Sequence, residues 1–234
     1  MKKLFSLFLI PMLAFGFFKE RVFEIFEGDL NTDGEKEQVY KVQNYRAFTL
    51  HIKNSRHHIE VPLNYTEYVY VKDIDKDGVY EIISYDNCYI ALFGLCLACS
   101  PAIKFVTHYE NGKLILQPNF IKAPTYSLHK IPLILDSYGS LRIDETDGDI
   151  YTHAQVLETI LTYFYKGKAY IAVTLIKKYI PFQSRSMKVL FLQDIVNAMS
   201  RSYFWNQIKQ LNNWQKYQKF EIVSELFEEL DKQP

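Results

Sequence analysis

The chain has 234 residues, 48% of them hydrophobic and 16% aromatic, which is enough to bury a sizeable core and too much for a disordered polypeptide. Its 27 basic side chains equal its 27 acidic ones, so it lacks the basic excess of a dedicated nucleic-acid binder. The length admits one large domain or two small ones.

Met1-Lys2-Lys3 leads into an apolar run from Leu4 to Phe15, interrupted by Pro11, with the small residues Ala14 and Gly16 at −3 and −1 of a cleavage point. A basic start, a short apolar stretch and small residues are the form of a secretory signal. The expectation is export to a periplasmic or secreted location, with residues 1–16 removed and Phe17 as the new N-terminus. The run is too short for a comfortable span, so no stable membrane span is expected after cleavage. No Cys follows it to carry a lipid. Loss of Lys2 and Lys3 would leave 25 basic against 27 acidic groups.

Residues 17–150 read as β-structure. Candidate strands lie near 22–27, 38–43, 47–53, 56–62, 67–72, 80–85, 103–109, 113–117, 131–135 and 140–143, where β-branched and aromatic residues recur between turn residues. Asn111-Gly112 marks the clearest hairpin, because both residues tolerate positive φ.

Two acidic loops interrupt the strands. Asp29-Leu30-Asn31-Thr32-Asp33-Gly34-Glu35-Lys36-Glu37 and Asp73-Ile74-Asp75-Lys76-Asp77-Gly78-Val79-Tyr80-Glu81 share the pattern DxNxDGxxE or DxDxDGxxE, in phase 44 residues apart. Side-chain oxygens at the first, third and fifth positions, with Gly at the sixth for a sharp turn, can curl around a hard cation, and Ca²⁺ takes such oxygen ligands. The ligand sets are Asp29, Asn31, Asp33 and Glu37 with the Glu35 carbonyl, and Asp73, Asp75, Asp77 and Glu81 with the Val79 carbonyl. An EF-hand is excluded: its twelfth position carries Glu, whereas Tyr40 and Ser84 stand there, and strands flank both loops. Asn31 lowers the charge of the first loop, so that site is expected to be the weaker. Leu30 and Ile74 cannot ligate and are expected to point into the core.

Ligands outward and an apolar anchor inward resemble the FG-GAP or VCBS calcium-loop repeat of integrin-like propeller blades, over roughly residues 22–85. The resemblance implies two structural Ca²⁺ ions and a role in adhesion or ligand recognition. Ten strands make too few blades to close a ring, so an open or sandwiched blade-like sheet is expected. Residues 142–149 are acidic but out of pattern, and read as a turn between domains.

Cys88, Cys96 and Cys99 fall within one short stretch. In an oxidising compartment one disulfide is expected, and spacing does not choose among the three pairings. A redox reading of Cys96-Leu97-Ala98-Cys99 would need a helix starting there. Zinc bound with His108 as a fourth ligand is a further alternative.

From Tyr151 the period becomes helical. Val156, Leu157, Ile160, Leu161 and Phe164 share one face. Gly167 ends that helix, Ala169–Ile180 looks apolar nearly all round, Met187–Met199 and Tyr203–Leu211 continue, and a last helix places Phe220, Val223, Phe227 and Leu230 on one stripe. The expected class is therefore α+β: a β-rich segment 17–150 followed by an α-helical domain 151–234, whose helices either cap the sheet or grip a partner.

No GxSxG, HExxH, GxxxxGK[ST] or GxGxxG occurs. His57 and His58 are adjacent, so on a strand they face opposite ways and make no ligand pair. The other histidines are scattered singly. The sequence thus favours a non-catalytic, calcium-dependent binder of an envelope protein or surface glycan. An envelope hydrolase using the β-segment as scaffold, or a structural assembly subunit, is the alternative.

Overall fold

The computed structural model describes residues 20–45, 47–64, 66, 68–144 and 149–232. Residues 1–16, expected to be a secretory signal, and residues 145–148 of the acidic turn lie outside the described residues. Ten strands precede five helices, and the class is α+β with antiparallel sheets.

The first sheet is a meander of β1 (Arg21–Gly28), β2 (Glu37–Asn44), β3 (Ala47–Lys53) and β4 (His58–Asn64), in that spatial order. The second repeats the arrangement with β5 (Tyr70–Lys72), β6 (Glu81–Asp86), β7 (Ile103–Glu110) and β8 (Lys113–Leu116). In each, the acidic loop joins the first strand to the second. A two-stranded ribbon follows, β9 (Leu133–Leu135) with β10 (Leu141–Ile143).

Alternation explains the sheets. Along β3, Phe48, Leu50 and Ile52 are buried, while Thr49 and His51 take the opposite face. The hairpin between β7 and β8 turns at Asn111 and Gly112, both at positive φ.

The helices are α1 (Ile150–Tyr165), α2 (Ala169–Tyr179), α3 (Arg185–Met199), α4 (Trp205–Leu211) and α5 (Lys219–Asp231). Val156, Leu157, Ile160, Leu161 and Phe164 on α1 are all fully buried. Two expectations need correction. Helix α2 is one-sided: Ala172, Val173 and Ile176 are buried, but Tyr170, Thr174, Lys177 and Lys178 face water. On α5 the buried stripe is Ile222, Val223, Leu226 and Leu230, and Phe220 is 74% exposed. Rotating the stripe by one position keeps helical spacing, so periodicity alone left both stripes open.

Apolar residues of both sheets and all five helices join one buried cluster. Phe105 of β7 meets Phe204 at 4.7 Å between centroids, and Phe93 stacks on Phe191 of α3 at 4.8 Å. Polar contacts reinforce the junction. The Tyr165 hydroxyl donates to Asp86 Oδ2 at 2.6 Å, Ser202 Oγ donates to the same oxygen, and Tyr89 donates to Tyr165 at 3.3 Å. Gln207 of α4 lies along the free edge of β8: its Nε2 donates to Leu114 O at 2.7 Å and its Oε1 accepts Leu116 N at 2.8 Å. One side-chain amide there substitutes for a neighbouring strand.

Cys96 and Cys99 form the disulfide, and Cys88 is a buried free thiol. Burial, with Asp86 beside it, drives the Cys88 thiol far above its ordinary range.

Candidate metal centre

Both loops fold through the same local chemistry. At the fourth and sixth positions the chain takes positive φ, at Thr32 (61°) and Gly34 (86°) and again at Lys76 (67°) and Gly78 (92°). Glycine meets the second requirement without a Cβ penalty. The first aspartate then gathers the turn: Asp29 Oδ2 accepts Gly34 N at 2.8 Å, and Asp73 Oδ2 accepts Gly78 N at 3.1 Å. The fifth-position aspartates accept the seventh-position amide, Asp33 from Glu35 and Asp77 from Val79, each at 2.8 Å.

The ninth-position glutamates fold back on the second residue. Glu37 Oε2 accepts Leu30 N at 2.9 Å, and Glu81 Oε2 accepts Ile74 N at 2.8 Å. Leu30 is fully buried and Ile74 half-buried against the same core, as expected for anchors. The loops lie side by side, tied by Tyr80 N donating to Leu30 O at 2.8 Å and by Phe26 against Tyr80 at 5.0 Å between centroids.

Their capacity for a cation differs. Carboxylate oxygens of Asp73, Asp75 and Glu81 lie within 4.8 Å of one another. Burial raises the Glu81 carboxyl above its ordinary pKa, and the Asp75 and Asp77 charges add to the rise. Among the described residues, no basic side chain pairs with Asp73, Asp75, Asp77 or Glu81. The donor set is all oxygen, negatively charged and uncompensated, which fits a hard divalent cation.

The first loop is already partly satisfied. Asn31 Nδ2 donates to Asp33 Oδ2 at 3.0 Å, Glu37 Oε1 accepts Asn54 Nδ2 at 3.0 Å, and Arg56 pairs with Glu35 at 2.9 Å. The Glu35 amide and the Asn31 side chain hold the Asp33 carboxyl below its ordinary pKa. Asp29, Asp33 and Glu37 do not gather within the distance that unites the second trio.

Sequence reasoning missed one convergence. His51, read as isolated, and His58, weighed only as a partner of His57, meet across the β3–β4 pair with Glu60. Strand pairing was the missing signal, since seven residues separate them along the chain. His57 does turn away, packing against Gly112.

A cleft opens between α3, β10 and the turn at Leu92–Gly94, lined by Asp136, Arg142, Asp194 and Arg201. Burial raises the Asp194 carboxyl. Asp136 is committed to its own turn, accepting Tyr138 N and Ser140 N, and Arg201 donates to Cys88 O at 2.8 Å.

No family model, curated protein or solved structure matches the chain. Among the described residues, no helix is long and apolar enough to cross a membrane.

Proposed function

We propose that this is an exported calcium-binding protein of the periplasm or cell exterior, whose two loops resemble FG-GAP/VCBS repeats and which binds an envelope protein or surface glycan without catalysis. The observation that carries the reading is the uncompensated trio of Asp73, Asp75 and Glu81 in a loop whose fold is duplicated 44 residues earlier. Asp73, Asp75, Asp77, Glu81 and the Val79 carbonyl would hold one Ca²⁺; Asp29, Asn31, Asp33, Glu37 and the Glu35 carbonyl would hold a weaker one. The ion supplies fixed positive charge that cancels carboxylate repulsion and locks paired loops into one surface. A preorganised surface loses less entropy on binding a partner.

The hydrolase alternative needs an acid and a base converging on one point. In the α3–β10 cleft, Asp136 is spent on its turn and no ion pair links the four charged side chains. Binding is therefore the better reading.

The test is thermal unfolding in chelator and in calcium, with pull-down from an envelope fraction under both conditions. Extracellular modules bind Ca²⁺ with dissociation constants of about 0.1–1 mM. At ~10 mM Ca²⁺ and a Kd of ~1 mM, mass action gives about 1.4 kcal/mol per site. That corresponds to a Tm rise of about 3–6 °C in a chain of this size. The double variant Asp73→Asn/Asp77→Asn should lose most of the rise. Identical melting curves in chelator and calcium would sink the proposal.

A further inference from the structure

The densest group of nitrogen ligands lies on the solvent face of the first sheet. His51 of β3 stands opposite Glu60 of β4, and His58 sits diagonally, two residues earlier on the same strand. Strand alternation places His58 and Glu60 on one face and sends Ile59 and Val61 into the core. His51 Nδ1 is 3.0 Å from His58 Nε2 and 3.7 Å from Glu60 Oε1, and His58 Nε2 is 3.8 Å from the same carboxylate oxygen.

Those three separations describe one face of a coordination polyhedron. Zinc with metal–ligand bonds of about 2.0–2.1 Å in tetrahedral geometry sets its ligand atoms about 3.3 Å apart. The observed edges straddle that value, and small rotations of His58 and Glu60, whose side chains are 43% and 61% exposed, would equalise them. His51 is the fixed member, 13% exposed and stacked on Tyr40 at 5.0 Å with an interplanar angle of 4°. The two ring nitrogens lie at hydrogen-bond distance from each other, and a cation can take the place of that bond.

We propose that His51, His58 and Glu60 form a second kind of metal site in this protein, selective for a borderline divalent transition-metal ion of the zinc class. Imidazole nitrogens suit zinc and copper, whereas calcium prefers oxygen, so this site and the acidic loops sort cations by ligand chemistry. Three ligands on one exposed face leave the fourth position open to water or to a ligand from solution. The inference stands whether or not the loops hold calcium.

The experiment uses the untagged full chain with Ca²⁺ in excess, titrated with Zn²⁺ by calorimetry and with Co²⁺ by visible absorption. The expected result is one zinc equivalent and a saturable tetrahedral Co²⁺ band that Zn²⁺ removes. His58→Asn and Glu60→Gln, both at exposed positions and checked for native circular dichroism, should each weaken zinc binding by about 100-fold or more, since even outer-shell losses cost up to about that much. His57→Asn and Asp73→Asn/Asp77→Asn should leave it unchanged. Absence of a saturable Co²⁺ band overturns the proposal, as does wild-type zinc affinity in both His58→Asn and Glu60→Gln.

Discussion

At the scale of single residues, the two loops differ by one atom type at their third position, and the structure indicates what that atom does. Asn31 donates its amide to Asp33, a bond that the Asp75 carboxylate, having no N–H, cannot make in the second loop. Asn31→Asp removes that donor and adds a charge, so under the proposed calcium reading it should destabilise the protein in chelator and enlarge the expected calcium-dependent Tm rise by a few degrees. A variant with an unchanged calcium response would show that the third position does not ligate. Glu158 provides a separate test of burial. Its half-buried carboxyl is raised above the ordinary pKa by desolvation, a shift only partly opposed by the Tyr126 hydroxyl. Between the unfolded and the raised folded pKa, the native state holds more protons, so stability falls as pH rises through that window and stays lower above it. Glu158→Gln should therefore raise Tm by about 1–3 °C at pH 8 and leave it unchanged at pH 4, measured by scanning calorimetry. The loop turns were legible in the sequence because their glycines and the carboxylates that accept backbone amides follow from local spacing. The Arg56–Glu35 pair and the Asn54–Glu37 bond were not, because they join residues that only strand pairing brings together.

Among the elements, the strands were the most readable part of the chain. Val39, Leu50 and Ile52 alternate with polar neighbours, and Asn111-Gly112 punctuates, so each predicted strand lies within a few residues of an observed one. The same reasoning failed on α2 and α5, where apolar side chains such as Tyr170 and Phe220 face water and blur the stripe. What no periodicity could reveal is how the second sheet ends. An open edge strand exposes unpaired amides and carbonyls that invite another chain. Here Gln207 satisfies one of each on β8. Gln207→Ala strands Leu116 N and Leu114 O, at a cost of about 1–3 kcal/mol. Chemical denaturation should register that loss, with faster hydrogen exchange confined to β8; a change below ~0.5 kcal/mol would mean water replaces the amide freely.

For the molecule as a whole, the duplicated meander explains why helices follow it. Two four-stranded units cannot close a ring, and their apolar faces need a cover. The helical segment provides it, and the polar knot of Asp86, Tyr165 and Ser202 lies where β6 meets α1 and the turn before α4. A buried carboxylate that receives two hydroxyl donors is stabilising only while both are present. Tyr165→Phe deletes one donor while keeping the ring that packs beside Tyr89, so the expected loss is about 2–3 kcal/mol. Because apolar residues of sheets and helices belong to one cluster, that loss should be shared. Far-ultraviolet circular dichroism, which follows the helices, and exchange protection of β6 and β7, which follows the second sheet, should move together to the same lowered midpoint. If the helices melted first and left the sheets protected, the knot would be a contact between two independent folds, and the proposed calcium stabilisation of the loops would not reach the C-terminal half.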